Sequence, residues 1–470
     1  MRLVALRTVA HGVTPAVHTE DVVYEADRPY EVAPCAPCAP CDPSDARDQS
    51  DGLPSDSDRV ERWASTMRGL RTASGVVVAH EMEPVAVSRM AALERAEREA
   101  HEESLLAAGA TLSKGAGRRA LDEPADPYRT CFERDRDRIL HSTAFRRLAG
   151  KTQVFVFPAD HQRTRLTHAL EVAQVATAVA RATRLNVALT EAIALGHDCG
   201  HGPGGHASET AFGQFLDGGY DHAVWGADVV FAAMNLCEET LDGIRNHSWS
   251  RPAPATPEGV VVSWADRIAY CAHDLEDALC AGIVEVGQLP QGITDVIGAT
   301  RSSQLRTLIG ALVGCITRRG VVAMDEEAAD ALAALRAFNY ENIYTRPEAI
   351  AQASAVISVL RALVEHFSEH PDLAPESARR PWGLDSAADP VRAAVAYVAG
   401  MTDRYAFEMA LDHLGWDSAR LPTGIDMPAL RPARARRLLS VLVGGPEAPA
   451  PLPGHAPSAG RYQRMVSSLR

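Results

Sequence analysis

From about Tyr128 to Trp416, apolar positions recur with the period of a helix rather than the alternation of a strand. In "THALEVAQVATAVARATRL", His168, Val172, Val175 and Val179 fall at i, i+4, i+7 and i+11, on one helix face. "LTEAIALGHD" repeats the pattern: Ile193 and His197 lie four apart, and Gly196 and Gly200 loosen the helix end. "VVVSWADRIAYCAHDLEDALCAGI" reads as a third long helix. Strand alternation is scarce. "KTQVFVF" is the best short candidate, and it is too isolated to build a sheet. The pattern predicts an all-α core.

The ends read differently. "PYEVAPCAPCAPCDPSDARDQSDGLPSDSD" is rich in Pro, Ser and Asp and lacks periodicity, so residues 1–120 are expected to be a largely disordered extension. Within it, Met90 to Ala110 is predicted to form an exposed charged helix, and Met90 is a second candidate start. Residues 121–300 are expected to form the helical core that carries the chemistry, and 301–443 a second helical part. Residues 444–470, with "GGPEAPAPLPGHAPSAG" at their head, are expected to be a flexible tail.

Composition changes this picture little. The chain has 470 residues, 46% hydrophobic and 23% charged, as in ordinary soluble globular proteins. No apolar run near the ~18 residues of a membrane span is evident, and the N-terminus lacks a signal-peptide core. A cytoplasmic location with no membrane partner is the expectation. A net charge of −14 argues against a nucleic-acid-binding surface, which leaves nucleic acid at most a regulator. Lys114 and Lys151 are the only lysines, so arginine must supply nearly every phosphate contact. Of the nine cysteines, Cys35, Cys38 and Cys41 cluster in "CAPCAPC". Proline between each pair and the lack of a second cluster argue for reduced thiols rather than a zinc knuckle.

The densest chemistry is "HDCGHGPGGH", His197 to His206: three histidines, an aspartate, a cysteine and four glycines. A divalent metal that keeps positions open for substrate or water wants a few His and Asp ligands on rigid elements. His168 opens the first helix, His197 and Asp198 end the second, and Asp266 lies in the third. Asp266, Tyr270 and Asp274 are spaced i, i+4, i+8 and project from one face. Between Arg129 and Arg165 stand eight arginines and Lys151 against four acidic residues, a basic island suited to phosphates. Arg165 sits three residues before His168, in reach of a metal-bound phosphate. Much of "ERDRDR" is expected to pair within its own helix.

Taken together, "RLTHALEV", "ALGHDCGHGPGGHASE" and "WADRIAYCAHDLEDAL" resemble the HD-domain phosphohydrolases, and specifically the deoxyguanosine triphosphate triphosphohydrolase family. "ERDRDRILHSTAFRRLAGKTQVF" and "VAGMTDRYAFEMAL" extend the resemblance over roughly residues 127–416. It implies an all-α HD-domain core with flexible N- and C-terminal extensions, and a divalent metal ion (Mg, Mn or another transition metal) on His168, His197, Asp198 and Asp266. It places His201, His206 and Glu209 among catalytic and phosphate-contacting groups. His206 is the candidate proton-transfer residue and Glu209 its carboxylate partner. His222 matches a histidine near the phosphates and Gln153 a position near the nucleoside. Tyr270 and Asp274 match the pair that reads the deoxyribose.

The implied reaction is attack of water at the α-phosphorus of a deoxynucleoside triphosphate, breaking the bond to the 5′-oxygen so that the deoxynucleoside leaves and triphosphate is released intact. The resemblance also implies a homo-oligomer. Rival readings are a nucleotide monophosphatase or phosphodiesterase of the wider HD group, and a non-catalytic nucleotide sensor. Two departures stand out. Gly204 replaces the phenylalanine of the family's Pro-Phe-Gly-His, which is expected to loosen the loop, and Ala396-Tyr397 replaces Asp-Tyr.

Overall fold

Each of the three predicted helices forms, and each begins at a residue whose side chain suits a helix start. The first spans Arg165–Thr183. The backbone amide of Thr164 ahead of it donates to Thr167 Oγ1 at 3.1 Å. Asn186 caps Val187–Gly196 by accepting from the Leu189 amide at 3.2 Å. Thr256 caps Pro257–Cys280 by accepting from Gly259 N at 3.1 Å, and Pro257 takes the first helical position, where a missing N–H costs nothing. Arg184, in the left-handed region at φ 57°, turns the chain from the first helix to the second.

The structure, a computed structural model, describes residues 56–66, 68–80, 87–88, 90–158, 161–375 and 388–423. The cysteine cluster at 35–41 and the expected tail at 444–470 lie outside the described residues. The chain divides into residues 1–90 and 91–470. In the first unit, a helix at Asp56–Thr66 precedes a small antiparallel hairpin pairing Leu70 with Val78 and Arg71 with Val77. In the second unit the described residues form an all-α fold around one apolar core.

That core is built on the predicted period. Val172, Val175 and Val179 are fully buried between the Val187–Gly196 and Pro257–Cys280 helices. Burial of each such side chain contributes roughly 1.5–3 kcal/mol, so an aspartate at Val175 would break the packing. The helix Pro347–Glu369 is, by length and composition, apolar enough to cross a membrane, contrary to the expectation that no such stretch exists. Its Val356, Val359, Leu360, Leu363, Val364 and Phe367 form one face buried against the protein, while the rest of the helix is only partly covered.

Two further expectations need correction. Irregular sequence does not continue to residue 120. A helix at Arg95–Leu105 forms as predicted, and the segment after it is pinned to the core. Glu258, buried near the start of its helix, accepts from Thr111 N, Thr111 Oγ1 and Asn186 N, at 2.7–3.1 Å. Glu239 accepts from Gly117 N at 3.1 Å, and Arg119 pairs with fully buried Asp135 at 2.7 Å. Carboxylates from distant helices satisfy this backbone, and a local reading of composition does not register them. "KTQVFVF" is not a strand either. Phe155 and Val156 are both buried, which breaks the alternation, and a single bridge from Thr152 to Thr164 replaces a ladder.

Candidate metal centre

His168, His197, Asp198 and Asp266 converge where the three helices meet. His168 Nε2 lies 3.1 Å from Asp266 Oδ1 and 3.8 Å from Asp198 Oδ2. His197 Nε2 lies 3.5 Å from Asp198 Oδ1 and 3.7 Å from Asp266 Oδ1. The His197 ring is oriented by Nδ1, which donates to the Ala194 carbonyl at 2.7 Å. Nε2 is then left with its lone pair, buried and without a hydrogen bond, facing two carboxylates. Three acceptors pointed at one another repel unless a cation or a proton stands between them, and this donor set fits a divalent ion.

Charge agrees with that arrangement. Burial alone would raise Asp198, but Arg165, His197 and His201 hold it well below the usual carboxylate range. Burial likewise opposes ionisation of Asp266, yet the His168 hydrogen bond and the neighbouring His197 keep it ionised. Arg165 is itself buried. Its Nη1 donates to Asp198 Oδ2 at 2.5 Å, while Nε and Nη2 have no partner. An unpaired buried guanidinium edge beside a metal-type carboxylate is ready to take an anionic ligand.

A second cluster joins the first. His201 stacks on His222 with ring centroids 3.7 Å apart, and its Nε2 lies 3.3 Å from Asp198 Oδ1 without hydrogen-bond geometry. Burial, then Arg165 and His222, push His201 well below its ordinary value, so it is neutral. Glu209 bridges two imidazoles, His222 Nδ1 at 2.5 Å and His206 Nδ1 at 3.3 Å. The expected His206–Glu209 contact is present, and the same carboxylate holds His222 more closely. Burial would raise Glu209, but these two hydrogen bonds keep it far below the carboxylate range. Burial would lower His222, and Glu209 overrides it and raises the imidazole. His206 remains 73% exposed at the rim, free to meet a ligand.

The turn that brings these groups together depends on Gly200. A Cβ there would lie 2.0 Å from the His222 carbonyl and 2.5 Å from Gly226 N, so no larger residue fits. Gly204 does not loosen the loop. It is held at φ 70° by its amide donating to Asp403 Oδ1 at 2.8 Å, and Val356 Cγ1 stands 2.4 Å from where its Cβ would be. Val356 fills the space beside this position, so the missing phenylalanine leaves no slack there.

The sugar-side candidates sit farther along the third helix. Tyr270 OH accepts from Arg336 Nε at 2.8 Å. Asp274 is gripped by Arg163 Nη2 and by the Tyr344 hydroxyl. Gln153 is half-buried with Oε1 unpartnered, and no hydrogen bond or ion pair joins it to the histidines. The basic island is mostly structural. Arg134 and Arg138 pair with Glu123, Arg129 with Asp126 and Asp137, and Arg136 with Asp137 and Glu191. These partners lie largely outside the helix, not at i, i+4 within it.

Sequence reasoning missed His247, whose Nε2 lies 3.3 Å from His222 Nε2 and whose Nδ1 meets the Ile244 carbonyl at 2.8 Å. Burial, with His197 and His222 beside it, lowers it to about 4. Its only signal was a histidine just past a helix end in "GIRNHSWS". Arg163, Arg336 and Tyr344 were also missed, because nothing local marks them.

Helices presenting one histidine, an adjacent His-Asp pair and a distant aspartate to a common point define an HD-domain phosphohydrolase, metal-dependent in its chemistry. The HD domain family matches residues 165–271, and the phosphohydrolase-associated domain matches residues 322–411. A deoxyguanosinetriphosphate triphosphohydrolase-like protein of Caldanaerobacter subterraneus subsp. tengcongensis is 41% identical over 312 residues, covering 65% of this chain and 91% of the relative. One of the same description from Clostridium perfringens strain 13 is 40% identical, covering 62% and 89%. Another, from Syntrophus aciditrophicus, is 36% identical, covering 66% and 94%. The chain belongs to the deoxyguanosinetriphosphate triphosphohydrolase-like family.

Proposed function

We propose that this protein hydrolyses deoxynucleoside triphosphates to the deoxynucleoside and inorganic triphosphate. The observation that carries the reading is the junction of two clusters: the His168, His197, Asp198 and Asp266 set, and the His201–His206–Glu209–His222 group that adjoins it. A divalent ion held by the first set would supply Lewis acidity toward the phosphate whose bond breaks. Arg165 offers its two unpaired guanidinium nitrogens to phosphate oxygens. Neutral His201 hydrogen bonds to a phosphate without adding charge. Glu209, ionised and shared, orients His222 and turns His206 so that Nε2 is free to pass a proton to the departing 5′-oxygen.

Tyr270 and Asp274 are assigned to the deoxyribose, with Arg163, Tyr344 and Arg336 fixing their positions. Gln153 is assigned to the nucleoside side. A homo-oligomer is part of the same reading. The deciding experiment incubates the purified protein with each deoxynucleoside triphosphate and manganese or magnesium, and identifies products by chromatography. Triphosphate plus deoxynucleoside supports the proposal. Release of orthophosphate from monophosphates, or opening of a phosphodiester alone, would replace it with one of the wider HD activities.

A further inference from the structure

The signature "VAGMTDRYAFEMAL" contributes no member of the histidine cluster, yet it reaches the loop that carries His201 and His206. Asp403 opens the Asp403–Leu414 helix and is buried. Its Oδ1 accepts from Gly204 N at 2.8 Å, and its Oδ2 accepts from Thr152 N at 2.9 Å and Thr152 Oγ1 at 2.5 Å. Thr402 already caps that helix by accepting from Tyr405 N, so Asp403 is not spent on the helix end. From the other side, Lys151 Nζ donates to the His201 carbonyl, and to the carbonyl of Ala399 at 2.9 Å. Ala399 ends the Pro390–Ala399 helix. Two buried ionisable side chains thus grip the loop, one at His201 and one at Gly204.

The loop needs an outside grip. Gly202 and Gly205 offer no side chain to anchor it, Ser208 Oγ ties these two only to each other at 3.0 and 2.6 Å, and the helix that follows, His206–Phe212, starts at Gly205 without a side-chain cap. Neither ring nitrogen of His201 makes a hydrogen bond, so the imidazole is aimed chiefly by its own backbone and packing. A shift of the His201 carbonyl would therefore pass to the ring with only its stacking on His222 to resist it. The three helices that carry His168, His197, Asp198 and Asp266 receive no hydrogen bond from Asp403.

We propose that Asp403 and Lys151 are positioning residues that fix the His201–His206 loop against the C-terminal helix pair, an inference that rests on the hydrolase reading above. It predicts a specific failure. Loss of the grip slows the chemical step while leaving metal binding and substrate capture intact. A misplacement on the order of 1 Å costs roughly a hundredfold in rate.

Asp403→Asn is the first test, because the amide keeps the shape but cannot accept from both Gly204 N and Thr152 N. Hydrogen exchange by mass spectrometry on the full-length, metal-loaded protein should show amides in the peptide spanning 199–210 exchanging about tenfold faster. The helix Arg165–Thr183 should exchange as in the wild type, and metal content should stay the same. On a deoxynucleoside triphosphate that the wild type turns over, kcat should fall about 10- to 100-fold with KM within about twofold. Thr152→Val, which removes only the hydroxyl arm, should shift both readouts the same way by a few-fold and serves if the asparagine variant fails to fold. Unchanged exchange in the loop with unchanged kcat would overturn the proposal. So would loss of metal in step with lost activity, since Asp403 would then support the metal set instead. If the wild type hydrolyses no deoxynucleoside triphosphate, the functional reading fails, and the exchange measurement still decides the grip.

Discussion

Replacing Lys151 with methionine should change how the stability of this protein depends on pH. Burial pushes the Lys151 ammonium down from 10.5 to about 7, against the pull of Cys199 and Asp403. Between about pH 7 and 10.5, the unfolded chain holds a proton on this side chain that the folded chain has released. Raising the pH through that window therefore stabilises the fold. From pH 7 to pH 9 the linkage amounts to about 2 kcal/mol. The neutral amine still has N–H groups for the His201 and Ala399 carbonyls, so the contacts survive deprotonation. Methionine keeps the apolar stem and cannot titrate. Urea unfolding followed by circular dichroism at pH 7 and pH 9, on wild type and Lys151→Met, isolates the effect, because other groups that titrate largely cancel. The wild type should gain about 2 kcal/mol on the variant between the two pH values. A gap that stays constant within about 0.5 kcal/mol would refute the argument that burial controls this amine.

Three further outcomes are expected. His197→Ala or Asp198→Ala should lose bound metal and turnover together, and wild-type metal content by elemental analysis would remove those residues from the ligand set. His206→Ala should keep its metal and substrate affinity and lose about two to four orders of magnitude in kcat; turnover near the wild-type rate would make it a bystander at the rim. Gly204→Phe, which installs the family's usual residue, should lower stability by about 2–4 kcal/mol, from a Cβ driven into Val356 and a side chain at positive φ. Adding Val356→Ala should restore part of the loss in melting temperature, and a single variant as stable as the wild type would sink that account.

Sequence made the helices and the four converging His and Asp residues legible because both obey local rules. His168, Val172, Val175 and Val179 mark a buried face by spacing alone, and His197-Asp198 stands at a helix end that glycine announces. What stayed hidden is held together across long separations. Glu258 binds Thr111, 147 residues away, so the segment before residue 120 looks like loose polar sequence until its acceptors are in place. Arg163 reaches Asp274 across 111 residues, and neither position carries a period or motif that names the other. His247 failed for a related reason: a single imidazole after a helix has no spacing partner. The basic island misled because charge counts do not reveal that Glu123 draws in arginines from two segments.

The bond between Thr152 and Asp403 spans 251 residues, and the one between Gly204 and Asp403 spans 199. A chain leaving the ribosome from its N-terminus makes the metal-type residues first and the aspartate that fastens their loop last. The helices around His168 and His197 can assemble early, from contacts between neighbours in sequence. Completion of the loop waits until residue 403 has emerged. In the order of synthesis, the residues that would hold a metal therefore precede, by more than a hundred positions, the side chain that fastens the loop beside them.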